Sequence, residues 1–338
     1  MKTSQFSFDL PPDLIAQEPT PDREAARLLV LDRATGAVQD SAVGSLARWI
    51  APGTLVVLND TRVRKARVWA EAPDGRKIEF LLLRRIEPAL WETIAGRAGR
   101  VKPATMLRFP GGVTGRIESR VDDTRVLRFD SPVDDAWLEV HGHVPLPPYI
   151  RRPDTPADEE RYQTVFSRVS GSAAAPTAGL HFTSRLLEEL RGRGVRVAWV
   201  TLHVGLGTFL PIRTEEIEGH AMHEEQFAIP RATKIAVEAA AAEGRPVLAV
   251  GTTVVRTLES AWTGLGLREG EGRTRIYITP GYGFRVVTQM FTNFHTPGST
   301  LLVLVSAFAG RELILRTYQD AVKKRYRFFS YGDAMLIK

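Results

Sequence analysis

The chain contains no cysteine. Disulfides, thiolate zinc sites, iron–sulfur clusters and cysteine nucleophiles are therefore excluded. It also lacks a long apolar run. The stretch MKTSQFSFDLPPDLIAQ has no continuous apolar core of the kind a secretory leader needs. Leu301–Ala309 is broken by Ser306 and falls well short of the roughly 20 residues that cross a bilayer. A cytoplasmic protein without membrane association is expected. There is no internal repeat and no low-complexity tract. Charge of one sign is in slight excess only, with 45 Lys and Arg against 39 Asp and Glu, a formal +6. That permits a polyanionic partner without demanding one. The i, i+4 histidine pair of zinc hydrolases is missing too, since His220 and His223 stand three apart.

What the chain does have is ample core material, 43% of 338 residues being hydrophobic, and a length that suggests two domains. Three textures follow one another. The first holds two β-rich apolar runs, Leu28–Leu31 and Leu55–Leu58. The second reads as short strands separated by turns. Lys65–Ala70 and Lys77–Leu83 flank the hairpin signal Pro73-Asp74-Gly75, and Leu90–Ala95, Met106–Phe109, Val113–Ile117 and Arg125–Phe129 follow. Strands so spaced suggest a small closed or half-closed barrel. Helical periodicity returns at Val133–Val140.

The third texture alternates. Helices are expected at Ser184–Arg193, Ala232–Glu243 and Thr252–Trp262, with a pair across Thr300–Arg325. Strands are expected at Val195–His203, Val247–Gly251 and Arg275–Thr279. Strand–helix alternation indicates an α/β layer fold. The expected architecture is a discontinuous α/β-layer domain, residues 1–62 and 145–338, with a small β-barrel domain, 63–144, inserted. A simple tandem of two domains is the alternative.

Several segments could carry chemistry. Gly171–Thr183, GSAAAPTAGLHFT, is built of small residues that let backbone approach a ligand. Its Thr183 can cap the next helix and leave N–H groups for an anion. The same segment could instead be a tightly packed loop with a core histidine, His181. His203, Gly205, Gly207 and Thr208 follow a buried strand, where ligands of open α/β sheets collect. His220, His223, Glu224 and Glu225 invite a metal reading, with a metal-free polar turn as the rival. Thr252 and Thr253 open a helix carrying Arg256 and Glu259, which suits an anion or a capped helix with an i, i+3 ion pair. Asn293 and His295 lie in a polar loop before an apolar helix. Asp333 lies in a Ser-Tyr-Gly-Asp turn, where it could face a guanine-like edge or simply close the turn. Basic residues cluster at Arg62, Arg64, Lys65 and Arg67, at Arg97, Arg100 and Lys102, and at Lys323, Lys324, Arg325 and Arg327.

Taken in order, these motifs resemble one family, the S-adenosylmethionine:tRNA ribosyltransferase-isomerases of queuosine biosynthesis. The similarity runs through Leu14–Gln17, Arg27–Arg33, Asn59–Arg62, Leu146–Ile150, Tyr162–Phe166, Gly171–Thr183 and HVGLGTF. It continues through HAMHEE, VGTTVVRTLES, ITPGYGF, TNFH, STLLVLVSAFAG and SYGDAMLI. The resemblance implies an α/β domain with a small β-barrel, and an enzyme that uses S-adenosylmethionine as a ribosyl donor. It implies transfer and isomerisation of that ribosyl group onto 7-aminomethyl-7-deazaguanine at the tRNA wobble position. Epoxyqueuosine is the implied product, with adenine and methionine released. No metal and no separate cofactor is expected, since S-adenosylmethionine is consumed as substrate, and a monomer is expected.

Such chemistry needs a base for a C5′ proton made acidic by the sulfonium. His181 or His203 is favoured, with His295 also a candidate. The implied substrate contacts are Ala175, Thr177, Phe182, Gly205, Gly207, Thr208, His220, His223, Glu225, Thr252, Thr253, Arg256, Glu259, Tyr282, Asn293 and Asp333. Phe182 and Tyr282 are expected to face the sulfonium, and Thr252, Thr253 and Arg256 the methionine carboxylate. The expected tRNA contacts are Arg62, Arg64, Lys65, Lys323, Lys324 and Arg325. The chain departs from the family pattern at Val63–Arg67, at Gln226 after Glu225, and at Thr288, where many members carry aspartate. A metal-dependent hydrolase using His220, His223 and Glu225, and a non-catalytic RNA-binding module, are the competing readings.

Overall fold

The computed structural model describes residues 1–96, 104–121, 124–205 and 212–338. The strands, in chain order, begin with β1 (Arg27–Leu31), β2 (Val38–Ala42), β3 (Leu55–Asn59) and β4 (Thr61–Val63). Next come β5 (Arg67–Glu71), β6 (Lys77–Glu87), β7 (Leu90–Ala95), β8 (Leu107–Arg108), β9 (Thr114–Val121) and β10 (Thr124–Phe129). Helices α1 (Asp135–His141) and α2 (Pro156–Arg161) lead to β11 (Val169–Ser172), α3 (Ser184–Gly192), β12 (Arg196–Leu202) and β13 (Glu225–Ile229). Then follow α4 (Arg231–Ala242), β14 (Val247–Val250), α5 (Thr252–Ala261), β15 (Gly270–Thr274) and β16 (Gln289–Asn293). The chain ends with α6 (Thr300–Ala309), α7 (Arg311–Lys323) and β17 (Ala334–Ile337).

Nine strands form one sheet in the order β15-β13-β12-β3-β14-β16-β17-β1-β2. Strands β12, β3, β14 and β16 run parallel at its centre. β3 and β14 are almost wholly apolar, and β12 largely so, because both faces are covered. Leu29, Leu31, Leu55 and Val57 pack on one side with Val237 of α4, Val254 of α5, Val303 of α6 and Tyr318 of α7. The intervening Leu28, Val30, Val56 and Leu58 pack on the other with Leu46, Leu186 and Leu190. The period-two alternation of a strand thus feeds two cores from the same residues.

The second unit is a closed barrel, β10-β7-β6-β5-β8-β9, spanning Arg67–Phe129. It encloses its own core, including Val68, Phe80, Trp91, Phe109, Leu127 and Phe129. Its first hairpin turns at the Pro-Asp-Gly signal, where Gly75 N–H donates to Ala72 O at 2.9 Å. The chain leaves the sheet along β4 and returns along β11, and these two strands pair parallel to each other.

One expected strand is corrected. Arg275–Thr279 forms none, and the edge strand lies one step earlier, at β15, paired with β13. Thr274 Oγ1 accepts from Ile276 N–H and turns the chain out of the ladder, so Ile278 buries itself as a loop residue. The strands β2, β13, β15 and β16 were not expected, being polar or short. No helix among the described residues is long and apolar enough to cross a membrane.

Asn59 locks the sheet where the chain exits to the barrel. Its Oδ1 accepts from Thr61 N–H at 3.1 Å and Leu202 N–H at 3.0 Å, and its Nδ2 donates to Leu202 O at 3.0 Å. Asn59→Ala would strand these buried backbone groups, at a cost of about 3 kcal/mol. The urea midpoint should fall accordingly; an unchanged midpoint would show that the lock contributes nothing.

Candidate functional site

The parallel strands end along one edge of the sheet, and each is followed there by a polar or small residue. Asp60 follows β3, His203 follows β12 and Gly251 follows β14, while β16 ends in Asn293. Because β17 runs antiparallel to β16, pairing Asn293 with Ala334, the Ser330–Asp333 turn comes to the same edge.

A cleft opens above this edge as adjoining chambers. The middle one is walled by Ala175–Ala178, by Gly251, Thr252 and Thr253, and by Thr292, Asn293 and His295. Thr177, Asn293, His295 and Leu301 also line a second chamber, whose far wall includes Tyr149, Phe329 and Ser330. Leu301 further borders a third, with Arg256, Tyr277 and Thr300.

The small-residue segment forms the floor of this cleft. Ser172 fastens its start, accepting from Val204 N–H at 2.8 Å while its Oγ donates to Ala174 O at 2.6 Å. Thr177–His181 coils into a 3₁₀ turn. Thr183 caps α3, accepting from Leu186 N–H at 3.0 Å. The expected anion site at that helix start is corrected: Thr183 Oγ1 donates to Glu24, which also pairs with Arg185. The protein's own carboxylate neutralises the positive helix end.

The start of α5 is different. Its N-cap, Gly251, has no side chain to cap it; Val254 N–H donates back to Gly251 O at 3.1 Å, which leaves the N–H groups of Thr252 and Thr253 without an intrahelical acceptor. Thr253, 7% exposed, has a buried Oγ1 with no hydrogen-bond partner among the described residues. Arg256 does not pair with Glu259 as the i, i+3 spacing suggested. It pairs with Glu225 of β13, both side chains being 3% exposed. Among the described residues its Nη2 is buried without a partner, as are Thr300 Oγ1 and Tyr277 OH beside it. Buried polar groups left open around a chamber are costly unless something binds them.

The histidines separate by geometry. His181 lies behind the floor, where its Nε2 accepts from Asn293 Nδ2 at 3.1 Å and the Arg23 main chain bonds the ring. Burial, with the Arg327 and Arg23 charges nearby, holds its pKa down at about 3. His203 lies at the junction with the exit strand, its Nδ1 2.8 Å from Thr61 Oγ1. Gly171 must be glycine there, because a Cβ would lie 2.6 Å from the His203 ring. Burial and then Arg64 lower the His203 pKa, against the pull of Asp60. His220 is half-buried edge-on to Tyr277, 5.7 Å between centroids, and His223 is exposed. Among the described residues His295 is the one histidine lining the cleft. Its Nε2 is 2.9 Å from Thr292 Oγ1, and burial holds its pKa at about 3. Among the described residues no group of three or more metal-ligating side chains converges.

Other expected site residues fall elsewhere. Phe182 is fully buried against Phe291, 5.4 Å between centroids, so it turns to the core and not to a sulfonium. Glu259 accepts from the N–H groups of Arg285, Val286 and Val287 and from Tyr282 OH. It anchors the loop, and with Tyr282 it borders a separate surface cleft. Asp333 closes its turn by accepting from Arg27 N–H at 3.0 Å and Arg327 N–H at 2.8 Å. Gly205 N–H donates to Glu225 Oε1 at 3.3 Å, whereas Gly207 and Thr208 lie outside the described residues, as do Arg97, Arg100 and Lys102. Thr288 sits before β16, at the edge opposite the cleft, bonded to Val247 N–H at 2.8 Å. Gln226 points outward from β13, exposed. Arg62 is exposed, Arg64 pairs with Asp135, and Lys65 with Glu139 and Glu159. Lys323, Lys324 and Arg325 pair with Asp320, Asp40 and Asp13. Tyr149, Phe329, Thr300 and Leu301 were missed as wall residues, although three of the family-like motifs contain or adjoin them.

Fold and cleft together define a two-unit α/β enzyme with a barrel insertion and a chambered site at the sheet edge. A family model described as "Queuosine biosynthesis protein" matches residues 3–337. A relative from Treponema denticola, an S-adenosylmethionine:tRNA ribosyltransferase-isomerase, is 48% identical over the whole of both chains. One of the same name from Citrifermentans bemidjiense is 50% identical, again covering all of both. The crystal structure of an S-adenosylmethionine tRNA ribosyltransferase from Thermotoga maritima aligns with a TM-score of 0.59 at 37% identity, covering 99% of this chain and 100% of the other. The chain belongs to the queuosine-biosynthesis ribosyltransferase-isomerase family.

His181 and His295 make the fold acid-sensitive. Both are buried neutral, with folded pKa values of about 3 against an unfolded value near 6.5. Their contribution is complete above about pH 6.5 and is lost as pH falls toward 3. At pH 5 each withdraws about 2 kcal/mol. The urea midpoint should drop between pH 7.5 and 5, and His295→Asn should remove about half of that drop. A pH-independent midpoint would contradict the buried, neutral assignment.

Proposed function

We propose that the chain transfers and isomerises the ribosyl group of S-adenosylmethionine onto 7-aminomethyl-7-deazaguanine at the wobble position of tRNA. The proposed products are epoxyqueuosine, adenine and methionine. The observation that carries this reading is the buried Arg256, whose Nη2, unpaired among the described residues, opens on a chamber shared with Thr300 and Tyr277. A guanidinium so placed suits a carboxylate, and its partner Glu225 suits the neighbouring ammonium, so the chamber fits an amino-acid end. The small-residue floor and the open start of α5 then take the ribose, with Thr252 and Thr253 donating.

In this reading His295 handles the proton at C5′, because it lines the cleft. His181 is a positioning residue that orients Asn293. His203 stands between the cleft edge and the barrel, beside Arg62 and Arg64, where the anticodon loop would approach. That loop is single-stranded, so the wobble base can be reached without opening a duplex. The paired Lys323, Lys324 and Arg325 would have to exchange carboxylates for phosphates, which makes Arg62 the stronger phosphate contact. No metal and no separate cofactor takes part.

The test is adenine release from S-adenosylmethionine in the presence of tRNA carrying the aminomethyl-deazaguanine. His295→Asn should lower kcat by about a hundredfold or more. Arg256→Lys should keep the charge, lose the fork, and raise the KM for S-adenosylmethionine about tenfold. A chelator should leave the rate unchanged. Absence of adenine release by the wild-type protein would refute the reading, and chelator inhibition would favour a metal hydrolase.

A further inference from the structure

Phe329 carries a backbone conformation that side chains avoid, with φ +72°. Left-handed backbone is uncommon outside glycine, and in a bulky residue it marks a position held by its surroundings. Those surroundings are specific. Phe329 N–H donates to Phe294 O at 3.0 Å. Its carbonyl accepts from Gly332 N–H at 3.0 Å and Asn293 Nδ2 at 3.1 Å. Gly332 cannot be replaced, because a Cβ would lie 2.5 Å from Arg327 O.

The clamp presents the Phe329 ring to Tyr149. The rings stack with centroids 4.1 Å apart and planes 32° apart. Tyr149 is held in turn: its OH bonds Ser330 Oγ, and its carbonyl accepts from Gln17 Nε2 at 2.9 Å. Gln17 Oε1 also accepts from Arg151 N–H at 2.8 Å. Three motifs without an assigned role, around Gln17, Tyr149 and Ser330, thus converge on one stacked pair. Both rings are only half-buried and line the chamber that shares Thr177, Asn293, His295 and Leu301 with the ribose chamber.

We propose that the Tyr149–Phe329 stack is the base subsite, taking a purine-type heterocycle by π-stacking with His295 at its inner end. The inference rests on the ribosyl-transfer reading and deepens it. The chambers run Arg256, then Thr252 and Thr253, then Tyr149 and Phe329, all bordered by Leu301. That order matches methionine, ribose and adenine along one nucleoside donor. The deazaguanine of tRNA is the other purine-type source.

The decisive variant is Phe329→Gly. Glycine accepts the backbone angle without strain, so the urea midpoint should hold or rise while the stacking surface is lost. The probes are S-adenosylhomocysteine, by calorimetry, and the anticodon stem-loop carrying aminomethyl-deazaguanine, by fluorescence anisotropy. Loss of a stacked base should weaken one of them about tenfold to a hundredfold. Weaker S-adenosylhomocysteine binding alone assigns the subsite to the donor adenine, and weaker stem-loop binding alone assigns it to the tRNA base. Phe329→Tyr should restore affinity in either case. Unchanged binding of both probes would overturn the proposal. So would a clear drop in the midpoint, which would make the ring a core residue. These are binding readouts, so they stand apart from adenine release by the wild-type enzyme.

Discussion

The side-chain amide of Asn293 is the point where the separate stretches of the cleft are joined. Its Oδ1 accepts from Thr177, at the floor, and its Nδ2 donates to His181 Nε2 and to the carbonyl of Phe329. The residue ends a central strand and is 2% exposed, so the amide is anchored by the sheet itself. A planar group with fixed donors and acceptors transmits that anchoring to its partners. It thereby ties together the floor, the C-terminal turn and the His181 ring. Loops alone would not hold such a wall, because their backbone groups need partners when they leave solvent.

A second constraint acts at the other end of the cleft. Glu225 and Arg256 are both taken out of water, which is unfavourable unless each charge finds good partners. The pair joins β13, next to the sheet's edge, to the helix that opens beside the middle chamber. Among the described residues Arg256 nevertheless keeps an unsatisfied nitrogen, with unsatisfied hydroxyls at Thr253 and Thr300. Some structural pairs elsewhere behave differently. Asp158, for example, meets Arg152, Thr155 and Tyr331 with both oxygens, and its pKa falls to about 2 although burial pushes it up. Around the chambers, by contrast, Thr253, Arg256, Tyr277 and Thr300 each hold a polar atom that is open to a ligand, having no partner among the described residues.

Much of this was legible in the chain. The apolar runs of β1, β3, β12 and β14 and the helices α3 to α7 follow from periodicity. So does the barrel, whose Pro-Asp-Gly turn falls where expected. The edge strand β15 and its neighbour β13 were not legible, since the margin of a sheet needs little more than backbone pairing and tolerates sequences such as Gly270–Thr274. Around the site, Thr252, Thr253, Arg256, Asn293 and His295 could be proposed from type and position. Their partners could not. Glu225 meets Arg256 across 31 residues, and Asn293 meets His181 across 112. Spacing within one helix pointed Arg256 to Glu259, and only the fold gave Glu259 to the Tyr282 loop instead.

By itself, then, the sequence determined what rests on local periodicity and on composition: the layered α/β plan, the inserted barrel, the absence of thiol chemistry and the polar segments that mark the sheet edge. The tertiary structure alone decided which of those segments share a cleft. It set His181 behind the wall and His295 within it, turned Phe182 into the core, and brought Gln17, Tyr149 and Phe329 together from opposite ends of the chain. The reason is one of range. Propensity and periodicity act over a few residues, whereas hydrogen bonds, burial and the pKa shifts that follow from them depend on neighbours that only the folded chain supplies.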